Sequence, residues 1–385
     1  MAEKASIRAF DSQRDALMVE ELESRCEVGP SGSSFLLSDL MGDPIARIRY
    51  CPLYTMLVAD LNDELVGVVR GSIKTVVTCA HSPTHLAKVG YVLGLRVSPQ
   101  HRRKGIAHQL VISLEKWFVS NGAEYVYMAT EKDNLASVKL FTEKCHYSKF
   151  RTPSILVNPV SYHTKRIPSS FRIVKLSTDQ AEFLYRKQMG STEFFPADIN
   201  RVLANPLSLG TWVAFPRGET WDNMGKPPQS WAVLSVWNSS ELFKLRVEGA
   251  SMACALYARS CGAIDRAFPC FRLPAFPDLF SPFGFYFLYG LHGQGPKSGS
   301  LIRALCKFVH NMAARKSEDC RVIVTEVGGQ DELRHHIPHW KKLSCSEDLW
   351  CIKRLGGESS CCAKEGKDWT KSPPPRSLFV DPREV

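Results

Sequence analysis

Residues 95–107 read LRVSPQHRRKGIA, and this stretch predicts a strand, a basic turn and the start of a helix in immediate succession. The strand is apolar, and Pro99 ends its pairing because proline has no backbone N–H. Gly105 opens the helix, and the first amides of a helix have no acceptor within it. Those amides and the helix dipole attract an anion, which a glycine lets approach the backbone closely. The stretch therefore predicts a pyrophosphate cradle flanked by three cations, Arg102, Arg103 and Lys104.

The turn carries the pattern Arg-x-x-Gly-x-Ala, which resembles the acetyl-CoA signature of the GCN5-related N-acetyltransferase superfamily. Apolar residues then repeat at helical spacing from Ile106 to Phe118. Farther along, Asn134, the pair Leu140-Phe141 and Tyr147 are similar to the family's asparagine, leucine-aromatic pair and final aromatic. The alternative is a basic loop between a core strand and a core helix, and the order of the matched elements favours the resemblance.

The resemblance implies acetyl-CoA as cosubstrate, without a metal. In the superfamily the fourth strand parts from the fifth, and free amides in the gap bind pantetheine and the thioester oxygen. Backbone donors of this kind stabilise a developing oxyanion. By this resemblance the donors are Leu95 and Val97. The full set of implied cofactor-binding residues is Leu95, Arg96, Val97, Arg102, Arg103, Lys104, Gly105, Ile106, Ala107, Asn134 and Phe141.

The groups that move protons are harder to assign. A lysine amine has an ordinary pKa near 10.4, so near neutral pH a base or a water chain must remove its proton. Several members of the superfamily place glutamate on the fourth strand, where this chain has Tyr91, and tyrosine where it has Phe141. Glu131, or Asp133 beside it, either replaces that glutamate as the base or is a solvated loop carboxylate. Tyr147 either replaces that tyrosine as the acid or is an aromatic residue of the core. The candidate catalytic residues are Tyr91, Glu131 and Tyr147.

The order of elements predicts an α+β protein with two acetyltransferase-like domains, each a mixed, mostly antiparallel sheet flanked by helices. Residues 1–160 form the acetyl-CoA-binding domain, with 152–157 as its closing strand. Residues 161–170 are a linker, and 171–355 repeat the order of elements as a divergent copy closed by 349–355. A proline-containing insert lies before Phe285, with Pro269 and Pro274 breaking any long helix, and 356–385 form a polar, proline-containing tail.

The second copy has a different turn at the place of the cradle. It reads His292-Gly293-Gln294-Gly295-Pro296 and brings only Lys297 as a nearby cation. Pro296 removes an amide donor where an anion needs one. The turn therefore favours a helix start without a ligand over a second nucleotide site.

Both halves and the tail also resemble the Hookless-type N-acetyltransferases of plants. The matching segments read RCEVGPSG from Arg25, RTPSILVNP from Arg151, SWAVLSVWN from Ser230, IPHW from Ile337 and FVDPRE from Phe379. The resemblance implies a nuclear plant protein connected with hormone-dependent growth and with histone acetylation.

Composition excludes several other classes of protein. The chain of 385 residues has a formal net charge of +10, which favours acidic partners such as CoA phosphates. It has no apolar run long enough for a spanning helix and no signal-like start, so we expect an intracellular protein away from membranes. Its 13 cysteines lack paired C-x-x-C spacing, which indicates reduced thiols and no metal site. The chain has no basic block with interleaved aromatic residues, so its sequence does not favour direct nucleic-acid binding.

The sequence predicts transfer of acetyl from acetyl-CoA to a protein amine, with a histone lysine as the acceptor that the resemblance favours. The alternative is a catalytically silent regulator that keeps the fold and acts through a partner bound by the second domain or the tail. Tyr91 and Phe141 support this alternative, because neither is an efficient base or acid near neutral pH.

Overall fold

The computed structural model describes residues 5–26, 35–79, 85–161, 163–221, 227–249, 277–316, 319–356 and 368–385. Most of the predicted insert, with Pro269 and Pro274, lies outside these residues, as do the cysteines Cys361 and Cys362. Within the described part of the chain, no helix combines the length and the apolar character needed to cross a bilayer.

Strands and helices alternate along the chain in two similar series. The strands are β1 Ser6–Ala9, β2 Phe35–Asp39, β3 Leu53–Leu61, β4 Glu64–Cys79, β5 His85–Val97, β6 Tyr125–Glu131, β7 Ser148–Arg151, β8 Ser154–Pro159, β9 Phe171–Leu176, β10 Ser208–Pro216, β11 Trp231–Asn238, β12 Lys244–Glu248, β13 Gly284–Gln294, β14 Cys320–Val327 and β15 Asp348–Arg354. The helices are α1 Ser12–Ser24, α2 Ile106–Ser120, α3 Leu135–Lys139, α4 Thr178–Met189, α5 Ile199–Leu203 and α6 Ser298–Lys316.

These strands form two large sheets and one small one. Sheet 1 has the order β1-β3-β4-β5-β6-β15-β7, and sheet 2 has the order β8-β14-β13-β11-β10-β9. β12 and β2 pair as a separate two-stranded sheet that joins the two halves. In each large sheet one parallel pair, β5 with β6 or β13 with β14, lies among antiparallel strands. The architecture is the predicted one: tandem α+β units with mixed sheets.

A matching bulge in the two sheets confirms the internal repeat at the level of backbone geometry. β5 shifts register against β4 around Gly94, and β13 shifts against β11 around Gly290. Both glycines adopt left-handed φ angles, +60° and +61°. A side chain rarely adopts this conformation, so each bulge requires glycine.

The closing strands belong to the opposite sheets, which corrects the sequence prediction. β15 inserts between β6 and β7 of sheet 1, and β8 pairs with β14 of sheet 2. The predicted strand 152–157 is broken at Thr152-Pro153, where the chain passes from one sheet to the other. Strand patterning shows which faces are buried but not which strand is the neighbour, so the exchange was invisible in the sequence. The division into 1–160 and 171–355, joined by 161–170, stays a prediction about domains.

The end of the predicted polar tail is packed rather than solvated. In segment 377–385, seven consecutive residues from Leu378 to Glu384 are buried, and the Phe379 amide bonds to the Glu193 carbonyl at 3.0 Å. The Phe379 ring contacts Phe195, in the loop between α4 and α5, and Tyr289 of β13. This segment is therefore part of the core between the two halves.

Candidate active site

The predicted pyrophosphate cradle is an open corner at the start of α2. Gly105 caps the helix with φ +80°, and a side chain added there would meet nothing within 4 Å. The Gln109 amide donates to the Gly105 carbonyl at 3.1 Å, and the amides that precede Gln109 in the first turn have no acceptor within the helix. The three cations Arg102, Arg103 and Lys104 are exposed beside this corner, while Ile106 anchors the helix in the core. The arrangement is able to hold an anion.

A gap opens between β5 and β6 next to the cradle. The two strands pair in parallel only from Val89 with Tyr125 to Val92 with Met128. β5 nevertheless continues to Val97 and β6 to Glu131. Leu95, Arg96 and Val97 therefore lie on a length of β5 that has left its parallel partner. The assignment of Leu95 and Val97 as backbone donors to the cofactor stays a prediction. Ala107 lies in the first turn of α2.

A buried arginine supports the bulge that turns β5 away. A Cβ on Gly94 would lie 2.5 Å from Nη1 of Arg70, which donates from the same atom to Glu23 at 2.7 Å. Arg96 pairs with the other oxygen of Glu23 at 3.4 Å. Burial opposes ionisation of Glu23, but Arg70 and Arg96 outweigh it and hold its pKa below the ordinary value. This ionised network fixes the shape of the gap from the side of α1.

Asn134 and Phe141 have structural contacts of their own. The Asn134 side chain caps α3 by accepting from the Ser137 amide at 3.2 Å. Phe141 is buried and packs edge-to-face on Tyr147, with ring centroids 5.1 Å apart. Both aromatics share a core cluster with residues of α2. Their assignment to cofactor binding stays a prediction.

The three candidate catalytic residues do not converge. Tyr147 is buried in the α2 cluster, where burial and then Glu115 raise its pKa well above the ordinary value. Glu131 lies at the end of β6 opposite Asp348, and burial followed by Asp133 raises its pKa. Tyr91 projects from the other face of sheet 1, where burial raises its pKa as well. None of the three meets a second candidate, and their catalytic roles stay predictions.

Sequence reasoning missed three residues that meet on the face of sheet 1 opposite α2. Glu384 of segment 377–385 bonds through one oxygen to both Lys74 of β4 and Tyr127 of β6. The Tyr127 ring lies 4.7 Å from that of Tyr91, centroid to centroid. The sequence signal for this site was the apolar run Leu378-Phe379-Val380 inside a polar tail, which indicates a buried anchor.

The second copy has a similar gap between β13 and β14, but a side chain occupies the corner at the start of its helix α6. β13 and β14 part after Leu288 and Thr325, as the first pair does after Val92 and Met128. A Cβ on Gly299, in the first turn of α6, would lie 2.5 Å from the His336 imidazole. Arg303 holds that imidazole at 2.6 Å. The side chain of His336 thus lies where an anion would approach, which supports a helix start without a ligand.

The described residues contain no group of three or more His, Cys, Asp or Glu side chains placed to hold a metal ion.

Comparison with known proteins identifies the family. Residues 18–147 match the acetyltransferase (GNAT) family. The chain is 51% identical to "Probable N-acetyltransferase HLS1" of Arabidopsis thaliana over 98% of this chain and 99% of that protein. The chain belongs to the Hookless-type N-acetyltransferases of the GNAT family.

Other comparisons agree with this family and with the tandem fold. A second Hookless-type protein of Arabidopsis thaliana, "Probable N-acetyltransferase HLS1-like", is 49% identical over 98% of both chains. Among solved structures, a tandem GNAT protein from the clavulanic acid biosynthesis pathway covers 92% of this chain and 99% of its own, with a TM-score of 0.51 and 9% identity. That likeness shows the fold alone, and the fold is the predicted tandem acetyltransferase architecture.

Proposed function

We propose that this Hookless-type protein transfers acetyl from acetyl-CoA to a protein amine through the site in its first half. The observation that carries the proposal is the open corner at Gly105 beside the gap between β5 and β6. The exposed cations and first-turn amides fit a diphosphate, and the unpaired length of β5 fits an extended pantetheine chain. When bound, acetyl-CoA would supply the activated thioester. The chain's own residues would orient it and exclude water from the buried face of the sheet.

The acceptor class is also part of this proposal. A histone lysine fits the family resemblance, and its acetylation would remove a positive charge. Action in the nucleus, in hormone-dependent plant growth, is proposed on the same resemblance. A fluorescent tag for locating the protein belongs at the N-terminal side, because segment 377–385 is buried.

Calorimetric titration with acetyl-CoA tests the cradle. Gly105→Glu places a carboxylate where the diphosphate would lie, so we expect binding to weaken by about two orders of magnitude or more, roughly 3 kcal/mol. Gly122→Glu is the matched control, because Gly122 has a similar φ of +75° at the other end of α2 and only the Lys88 ammonium within 4 Å. Equal binding by wild type and Gly105→Glu would overturn the assignment of this corner.

A catalytically silent regulator is the second candidate, and Phe141 favours it because this buried ring has no proton to donate. Transfer of radiolabelled acetyl to histone tails or to a peptide library separates the two. Binding of acetyl-CoA without any transfer would favour the regulator.

A further inference from the structure

Glu384 belongs to segment 377–385, and its carboxylate lies on the face of sheet 1 opposite α2. Side chains alternate between the faces of a strand, and Val92 and Met128, the last parallel pair before the gap, pack on the α2 side. Tyr91 and Tyr127, one residue earlier on each strand, project from the opposite face. The Tyr127 hydroxyl bonds to Glu384, so the carboxylate lies on the face of sheet 1 opposite α2. Its position is next to the last paired residues of β5 and β6, where the gap begins.

The two oxygens of Glu384 have different environments. Lys74 and Tyr127 both donate to Oε2, which fixes the plane and the position of the carboxylate. Oε1 is buried and has no hydrogen-bond partner within the described residues. Glu384 itself is 8% exposed. An unpaired carboxylate oxygen at such a site is costly unless a donor arrives, so it points to a ligand with an N–H or O–H group.

Contacts along the whole of segment 377–385 hold this carboxylate in place. Arg383 makes a bidentate pair with Asp198 at 2.7 and 3.0 Å and a further bond to Asp381 at 2.7 Å. The carbonyl of Arg383 accepts from the Cys51 thiol at 3.9 Å. The segment is therefore anchored to both halves, and these contacts fix the position of Glu384.

The buried environment of Glu384 raises the pKa of its carboxyl above the ordinary value. Burial raises the pKa of the Glu384 carboxyl, and although Lys74 lowers it, the nearby charge of Asp381 raises it further. A carboxylate with a raised pKa is a stronger base than an ordinary glutamate. The titratable and charged groups that face it from the packed elements are Cys51, Lys74, Tyr91, Tyr127, Glu326, Asp381 and Arg383.

We propose that Oε1 of Glu384 accepts the proton of the acceptor amine during acetyl transfer, so that the base comes from segment 377–385 and not from β5. This rests on the proposed function. As the amine nitrogen bonds to the acetyl carbon, its proton moves to Oε1, the carbon–sulfur bond breaks, and the thiolate takes a proton from water. Glu384 then returns its proton to solvent. This assignment explains why β5 carries Tyr91 at the position where relatives carry a glutamate.

Kinetics of the full chain with Glu384→Gln test this role. We expect kcat/KM for acetyl transfer to fall by about 10² to 10⁴-fold, because glutamine keeps the shape and loses the base. Calorimetric affinity for acetyl-CoA should stay within about threefold of wild type. The acid limb of the wild-type pH profile of kcat/KM should disappear in the variant. With Glu384→Gly, added formate should restore part of the rate, because it supplies a carboxylate to the vacated space.

Asp331→Asn is the matched structural control. Asp331 is buried and accepts from the Ser377 hydroxyl at 3.2 Å, so it anchors the start of the same segment. Its variant should keep the wild-type pH profile. If wild type transfers acetyl and Glu384→Gln matches its rate and pH profile, the role of Glu384 is overturned and the proposed function stands. Loss of activity in Glu384→Gln and Asp331→Asn alike, without formate rescue, would also overturn it. A wild type that binds acetyl-CoA and transfers nothing overturns the proposed function, and this role with it.

Discussion

Asp348 is the first residue of β15 and pairs in register with Glu131 of β6. Burial, followed by repulsion from Glu131, raises the pKa of its carboxyl to about 7, from an ordinary value of 3.8. The carboxyl of Glu326 nearby has its pKa raised well above the ordinary value, first by burial and then by Asp348. Glu131, which its position at the end of the fifth predicted strand made a candidate base, is thus one of several carboxyls that crowd one edge of the exchanged strand.

This crowding predicts that the free energy of unfolding falls as the pH rises from about 5 to 8. Over that window the unfolded chain has already lost the Asp348 proton while the folded chain still holds it, so rising pH favours unfolding. Asp348→Asn cannot ionise, and its free energy of unfolding should depend less on pH. Urea unfolding at several pH values measures this.

The control for Asp348 is Glu347→Gln. Glu347 is exposed and pairs with Lys132 at 2.6 Å, which lowers its pKa, so the control should leave the slope with pH nearly unchanged. A slope for Asp348→Asn equal to that of wild type would show that other groups cause the pH dependence.

The two helix starts differ although the elements around them repeat. The start of α2 is open at Gly105, whereas the His336 imidazole covers the first turn of α6 at Gly299. The sequence was sufficient for this contrast, because Pro296 and the loss of cations were visible in the turn itself. Local features of this kind depend on neighbouring residues, as at the start of α1, where the Asp11 side chain accepts from the Gln13 and Arg14 amides.

This contrast predicts one acetyl-CoA site per chain. Isothermal titration of the wild type should give a stoichiometry of about one, since only the first corner has room for a diphosphate. Gly105→Glu should leave no second binding event. A stoichiometry near two, or a saturable residual site in the variant, would show that the second half binds the cofactor as well.

At the scale of the whole molecule, the pairing of strands that are far apart in the chain could not be predicted from the sequence. The sequence predicts one closing strand at 152–157, and its pattern does not show that Arg151 and Ser154 belong to different sheets. Glu384 was missed for the same reason: its partners Lys74 and Tyr127 are hundreds of residues away. Periodicity gave the elements and the turn gave the cradle, but the proposed base depends on contacts that only the folded chain brings together.

The exchange of strands predicts that residues 1–160 do not fold alone. β15 is the neighbour of both β6 and β7, so its removal leaves β7 without a partner in sheet 1 and opens an edge of β6. A 1–160 fragment should aggregate or lack cooperative unfolding by circular dichroism, and it should give no heat with acetyl-CoA. Co-expression with 161–385 should restore a soluble complex. A soluble 1–160 fragment with a sharp unfolding transition would contradict this.

The order of sheet 1 also governs how the chain is made on the ribosome. β15 leaves the exit tunnel long after β7, by roughly 10 to 40 s at about 5–20 residues per second. Throughout that interval the nascent chain presents unpaired strand edges to the cytosol. A chain that terminates before Asp348 lacks the strand that lies between β6 and β7, so both of these edges stay unpaired in its sheet 1.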